Sequence, residues 1–181
     1  MVRDYRSAEC LQWVESGHGD VTVPSMTERY EPPSEFLKAL IDDDAPLVGG
    51  EHAEDNLRRL MDMMRDELPT NRDWATLLLA QQDIDTVEVR EALLGAAEDE
   101  NEYVRAEAIL GLAQRDKAAA LPLLQRELSG EFVPLPLFEA AAIVAHPSLA
   151  ADLRAFAKPS GDDFMDNLAA QALEACEATS A

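Results

Sequence analysis

The sequence predicts an all-α chain folded as an α-solenoid of about four stacked helical hairpins. Three observations carry that expectation. Apolar residues recur at i, i+3 and i+4 through most of the chain, the spacing of one buried helical stripe. The segment ENEYVRAEAILGLAQRDKAAALPLLQREL reads as two short amphipathic helices back to back, and its elements recur before and after it. Composition agrees: the chain is 47% hydrophobic but only 6% aromatic, Ala and Leu dominate its second half, and strand-favouring runs are almost absent. One such hairpin cannot bury its own stripe, so neighbours must stack. A stack grows a long surface instead of one closed pocket, and the work expected of it is holding another macromolecule.

Residues 1–33 predict an irregular N-terminal arm or cap. Within it, residues 8–16 suit a short helix with Cys10, Leu11 and Val14 on one face, broken by Gly17, Gly19 and Pro24 and ended by Pro32-Pro33. Ser34 is an N-cap for a helix carrying Leu37, Leu40 and Ile41, which stops in the run Asp42-Asp43-Asp44. Residues 45–50, with Pro46 and Gly49-Gly50, form a loop. A helix over residues 54–68 follows, its stripe made by Leu57, Leu60, Met61, Met64 and Leu68, with Pro69 closing it. Met63 falls off that stripe.

From Thr70 the repeat is visible. Asn71-Arg72-Asp73 leads into Trp74, Leu77, Leu78 and Ala80, as Asn101-Glu102-Tyr103 leads into Val104, Glu107, Ala108 and Leu110, 30 residues on. This alignment places Trp74 in the column of Val104, as a core plug. Short connections (residues 82–85, then 115–116) lead to second helices with Val89, Ala92, Leu93 and Ala96, and with Leu121, Leu124 and Leu128. A looser unit has Leu137, Ala141 and Val144, a stop at His146-Pro147, then Leu149, Leu153 and Phe156. A last helix starts at Asp162 or Asp163 and carries Met165, Leu168, Ala169, Ala172 and Leu173.

Charge narrows the function. Against 15 Lys plus Arg stand 36 Asp plus Glu, a formal net charge of −21. Such a chain repels phosphate backbones, which disfavours nucleic acid, and attracts basic proteins. No apolar run approaches bilayer length, so no membrane role is expected. Cys10 and Cys176 have no metal-ligand spacing and read as buried free thiols of a reducing compartment. With no signal-peptide pattern at the start, cytoplasmic location is expected.

The middle units resemble HEAT-like repeats of the phycobilisome-lyase type. Asn101, Val104-Arg105, Ala108, Leu110-Gly111, Asp116 and Leu121-Pro122-Leu123 match that order. The resemblance covers residues 71–130, extends weakly over 131–176, and fails before Ser34; it makes residues 34–181 a HEAT-like solenoid. It implies that Arg105 pairs with Asp99 or Glu100 across the turn. Ala75 and Phe138 stand where Arg105 stands in the neighbouring units. Pro122 is expected near the start of its helix, where a missing N–H costs little. The resemblance also implies that the second helices line the concave side. With their buried stripes subtracted, Arg58, Arg59, Asp62 and Arg65 remain, then Glu88, Glu91 and Glu98, then Gln125 and Arg126, then Asp152 and Arg154. The partner-binding set is therefore Arg58, Asp62, Glu88, Glu91, Gln125 and Arg154.

No catalytic constellation appears. His18 with Asp20, and His52 with Glu51, Glu54 and Asp55, lack the HExxH spacing of a helical metal site. GxSxG, P-loop and GxGxxG patterns are absent. The expectation is a protein without enzymatic activity, metal or cofactor: an adaptor that binds a protein on its concave face. Two alternatives stand beside it. An acidic inhibitor or immunity protein would neutralise a basic toxin. A lyase-related protein would handle a chromophore, which calls for a deep apolar cleft that the sequence does not mark.

Overall fold

The computed structural model describes residues 30–130 and 132–179. Among them are nine α-helices and no strand: α1 (Glu35–Ile41), α2 (Ala53–Met63), α3 (Pro69–Ala80), α4 (Val87–Ala96), α5 (Glu102–Arg115), α6 (Lys117–Leu128), α7 (Leu135–Val144), α8 (Ala150–Phe156) and α9 (Asp163–Ala178). A 3-10 turn, Pro147–Leu149, leads into α8. The chain is an α-solenoid. Most of the predicted arm lies outside the described residues; of it, residues 30–33 are described and have no regular structure.

Local chemistry sets the boundaries. Asn101 accepts from the backbone N–H groups of Tyr103 and Val104 and caps α5, and Asp162 does the same for Phe164 and Met165 on α9. Thr86 and Asp116 cap α4 and α6. Ser34 sits at the N-cap of α1 as expected, yet its hydroxyl makes no capping bond and lies 3.7 Å from Met63 Sδ instead. The helix of Leu57, Leu60 and Met64 is shorter than the periodicity suggests. It ends at Met63, leaving Leu68 52% exposed, and Pro69 opens the next helix instead of closing this one. Proline suits that first position because its absent N–H would have no partner there.

Pro122 is deeper than expected, the sixth residue of α6. Past the first turn its missing N–H removes a ladder bond from the Ala118 carbonyl, and both residues are exposed. Pro122→Ala restores that bond with little packing to lose. Chemical denaturation should show the variant about 1–3 kcal/mol more stable; an unchanged midpoint would contradict this account of α6.

The helices form two layers. α3, α5, α7 and α9 pack directly on one another in succession, while α4 and α6 each lean on the helices that flank them in sequence and α8 leans on α9. Helices of this second layer touch each other sparsely, α6 against α8 being the clearest case. The tight layer is built of small residues: Ala75, Ala106, Ala108, Gly111, Ala113, Ala140, Ala141, Ala169 and Ala172 are all buried. The tight layer is referred to below as inner, and the layer of α2, α4, α6 and α8 as outer.

Arginines fix the repeat. Arg72 donates through one terminal nitrogen to the carbonyls of Asp66 and Glu67, and Arg105 does the same to Asp99 and Glu100. These are equivalent residues 33 positions apart, so the register is 33 and not the 30 read from the two asparagines. Arg72, not Ala75, is the counterpart of Arg105, and Trp74 shares a column with Glu107 and not with Val104. The carboxylate partners differ from expectation as well. Arg72 grips Asp99 at 2.8 and 3.0 Å in the following turn, whereas Arg105 pairs with Glu127 of α6 at 3.0 Å and meets Asp99 and Glu100 only through their backbone oxygens. Arg115 supplies the remaining staple. It donates to the carbonyls of Leu79, Ala80, Gln82 and Ile84, closing the end of α3. Burial pushes its guanidinium pKa below the usual arginine value.

Candidate functional site

Three sides of α5 are occupied. Gly111 looks onto α3 and α4, where an added Cβ would lie 3.0 Å from both Ala80 Cβ and Leu93 Cδ2. Arg105 looks toward α6 through Glu127. Helical spacing leaves Tyr103, Glu107, Leu110 and Gln114 on the remaining face, turned away from the outer layer. The 33-residue register carries that face to Trp74, Leu77 and Gln81 on α3, and to Ala140 and Ile143 on α7.

Tyr30, which precedes α1, marks the same face. Its ring stacks on Trp74 with centroids 5.9 Å apart and planes 20° apart, and its hydroxyl donates to Asp73 Oδ2 at 2.9 Å. Asp73 and Glu107 are each only 4% exposed. Asp73 reaches Tyr103 electrostatically: burial raises that phenol's pKa, and the negative charges of Glu102 and Asp73 add to the rise. Tyr103 in turn meets Phe132 edge-on at 5.8 Å. The inner side of the α3–α5 seam thus joins aromatic rings to carboxylates.

The residues singled out from the sequence lie on the second helices. Arg58 and Asp62 are on α2, Glu88 and Glu91 on α4, Gln125 on α6 and Arg154 on α8, all exposed and all on the splayed outer layer. Several already have local roles. Arg58 pairs with Asp55 at 2.8 Å, Gln125 donates to Ser148 Oγ at 2.9 Å, and Arg154 pairs with Glu177 at 2.7 Å. Glu88 lies in the first turn of α4, where its own backbone N–H and Thr86 hold its carboxyl pKa below the ordinary value. The second helices touch one another sparsely, whereas the Ala- and Gly-rich first helices pack closely side by side.

Trp74 is buried, as expected, though on the inner face beneath Tyr30. Among the described residues no group of three or more His, Cys, Asp or Glu could hold a metal ion. His52, the candidate near Glu51, Glu54 and Asp55, is the exposed residue before α2. No helix among the described residues is long and apolar enough to cross a membrane.

Comparison with known proteins agrees with this architecture. The family model for HEAT repeats matches residues 57–131, the stretch that runs from α2 through α6. The X-ray structure of YibA from Escherichia coli, a structural-genomics target, is similar over 77% of this chain with a TM-score of 0.53 and 21% sequence identity. The similarity covers 54% of YibA, so this chain spans about half of that protein's length. At that identity the likeness speaks to fold alone. No curated protein matches the chain. The match to HEAT repeats supports HEAT-like repeats in this chain; it does not distinguish the phycobilisome-lyase type from others.

Proposed function

We propose that this HEAT-like repeat chain is a non-catalytic adaptor that binds a basic segment of a partner protein along its inner face. HEAT repeats generally serve as protein-interaction scaffolds. The observation that carries the partner's chemistry is the net charge of −21, which speeds encounter with a positive partner. An inhibitor of a basic toxin would use the same surface and would differ in having one very tight ligand.

A fluorescent oligoarginine peptide is a suitable probe. Its affinity should fall steeply between low and high salt, since several ion pairs form at once. Gln114→Arg combined with Glu139→Arg places two positive charges on or beside the inner face and should weaken the peptide at least tenfold. Glu88→Lys with Glu91→Lys changes the outer layer by the larger amount of charge and should weaken it less than threefold. The opposite ranking would return the binding surface to the outer helices, and equal losses would reduce the interaction to bulk charge.

A further inference from the structure

We propose that the seam between α2 and α4 is a second docking groove, which takes an amphipathic helix of a partner protein. The ridge of that helix is apolar, with carboxylates along one flank and cationic groups along the other. This site is separate from the inner face and does not depend on it.

The seam is the open one of its layer. α4 and α6 are tied together by Arg90 and Asp116 at 3.5 Å and by Arg126 and Glu98 at 2.7 Å. α6 is tied to the turn before α8 by Gln125 and Ser148 at 2.9 Å. Among the described residues, no hydrogen bond or ion pair crosses from α2 to α4. A groove of about 320 Å³ remains between them. Met61 and Met64 line it from α2 and its C-cap, and Ala92, Gly95 and Ala96 line it from α4. A Cβ at Gly95 would meet nothing within 4 Å, so the described side chains do not fill this space. Methionines beside small residues make an apolar floor that adjusts to what is laid into it. Such a floor receives the i, i+3 and i+4 anchors of a helix.

The two walls differ in sign. Arg65 borders the groove on the α2 side, exposed and without an ion-pair partner among the described residues. On the α4 side stand Glu98, which Arg126 of α6 engages, and Glu91, exposed and one turn before Gly95. The Arg72–Asp99 pair also borders the groove, with its charges already matched. A helix lying in the groove therefore gains from carboxylates toward α2 and cations toward α4, and one of uniform charge is repelled by one wall. Bulk charge cannot produce that preference, because a chain of net charge −21 favours the most cationic ligand.

Fluorescence anisotropy with helix-stapled peptides tests this on the full chain. All peptides carry the same leucine stripe; one has glutamates on one flank and lysines on the other, and one has lysines on both. The mixed peptide should bind roughly tenfold tighter than the all-lysine peptide, against the pull of net charge. Gly95→Leu fills the groove from a position with room for the new side chain. It should keep the parent's thermal midpoint and weaken the mixed peptide by roughly tenfold or more. Arg65→Glu, a change at an exposed position, should cut the mixed peptide's advantage to roughly threefold or less. Equal or tighter binding of the all-lysine peptide by the parent chain would overturn the proposal, as would a mixed peptide indifferent to either variant. So would concentration-dependent dimerisation that Gly95→Leu abolishes, since the groove would then hold a second copy. Failure of the inner-face reading shows separately: oligoarginine does not bind, while the mixed peptide still does.

Discussion

Replacing Gly111 with leucine should destabilise the chain by about 3 kcal/mol, because the new side chain has no space to enter. Even a methyl group at this position would sit 3.0 Å from Ala80 Cβ and 3.2 Å from its Cα, and the latter is backbone that cannot turn aside. Leucine brings three more heavy atoms into the same gap. The strain falls where α5 meets both α3 and α4, at the centre of the tight layer. Thermal unfolding followed by circular dichroism should show a midpoint lowered by roughly 10 °C. Gly111→Ala is the informative lesser change. Its gain in helix propensity of about 1 kcal/mol partly offsets the clash, so it should cost little, and pairing it with Ala80→Gly should recover what is lost. A leucine variant as stable as the parent would mean that the inner helices are not in close contact at this point.

Arg72→Met should cost about 3–5 kcal/mol, the scale expected when one member of a buried ion pair is removed. The side chains of Arg72 and Asp99 are 10% and 11% exposed and meet through two short hydrogen bonds. Methionine fills similar volume but leaves the Asp99 carboxylate without its fork and the carbonyls of Asp66 and Glu67 without their donor. The Asp99 hydrogen bond raises the Arg72 pKa, so the guanidinium keeps its charge. Arg72→Lys should recover only part of the loss, since an ammonium cannot span both carboxylate oxygens. Urea denaturation measures all three forms. A methionine variant within 1 kcal/mol of the parent would show that this arginine merely decorates the turn.

The helical stack was legible from residue spacing, because buried stripes at Leu57, Leu60 and Met64 or at Val89 and Leu93 have no other use. Caps at Asn101 and Asp162 could be read for the same reason: their side chains compete for backbone N–H groups wherever a helix begins. The register was misread because two asparagines look more alike than an arginine in NRDWA and one in YVRAE. Only the turn carbonyls that both arginines clasp reveal them as equivalents.

The account stands on the inner layer being the docking surface, and amide chemical-shift mapping tests that most directly. Titration of the full chain with excess oligoarginine peptide should move the signals of Tyr103, Glu107, Leu110 and Gln114 and leave Glu88, Glu91 and Gln125 in place. Shifts confined to the α4 and α6 residues, with the α5 column unmoved, would contradict it.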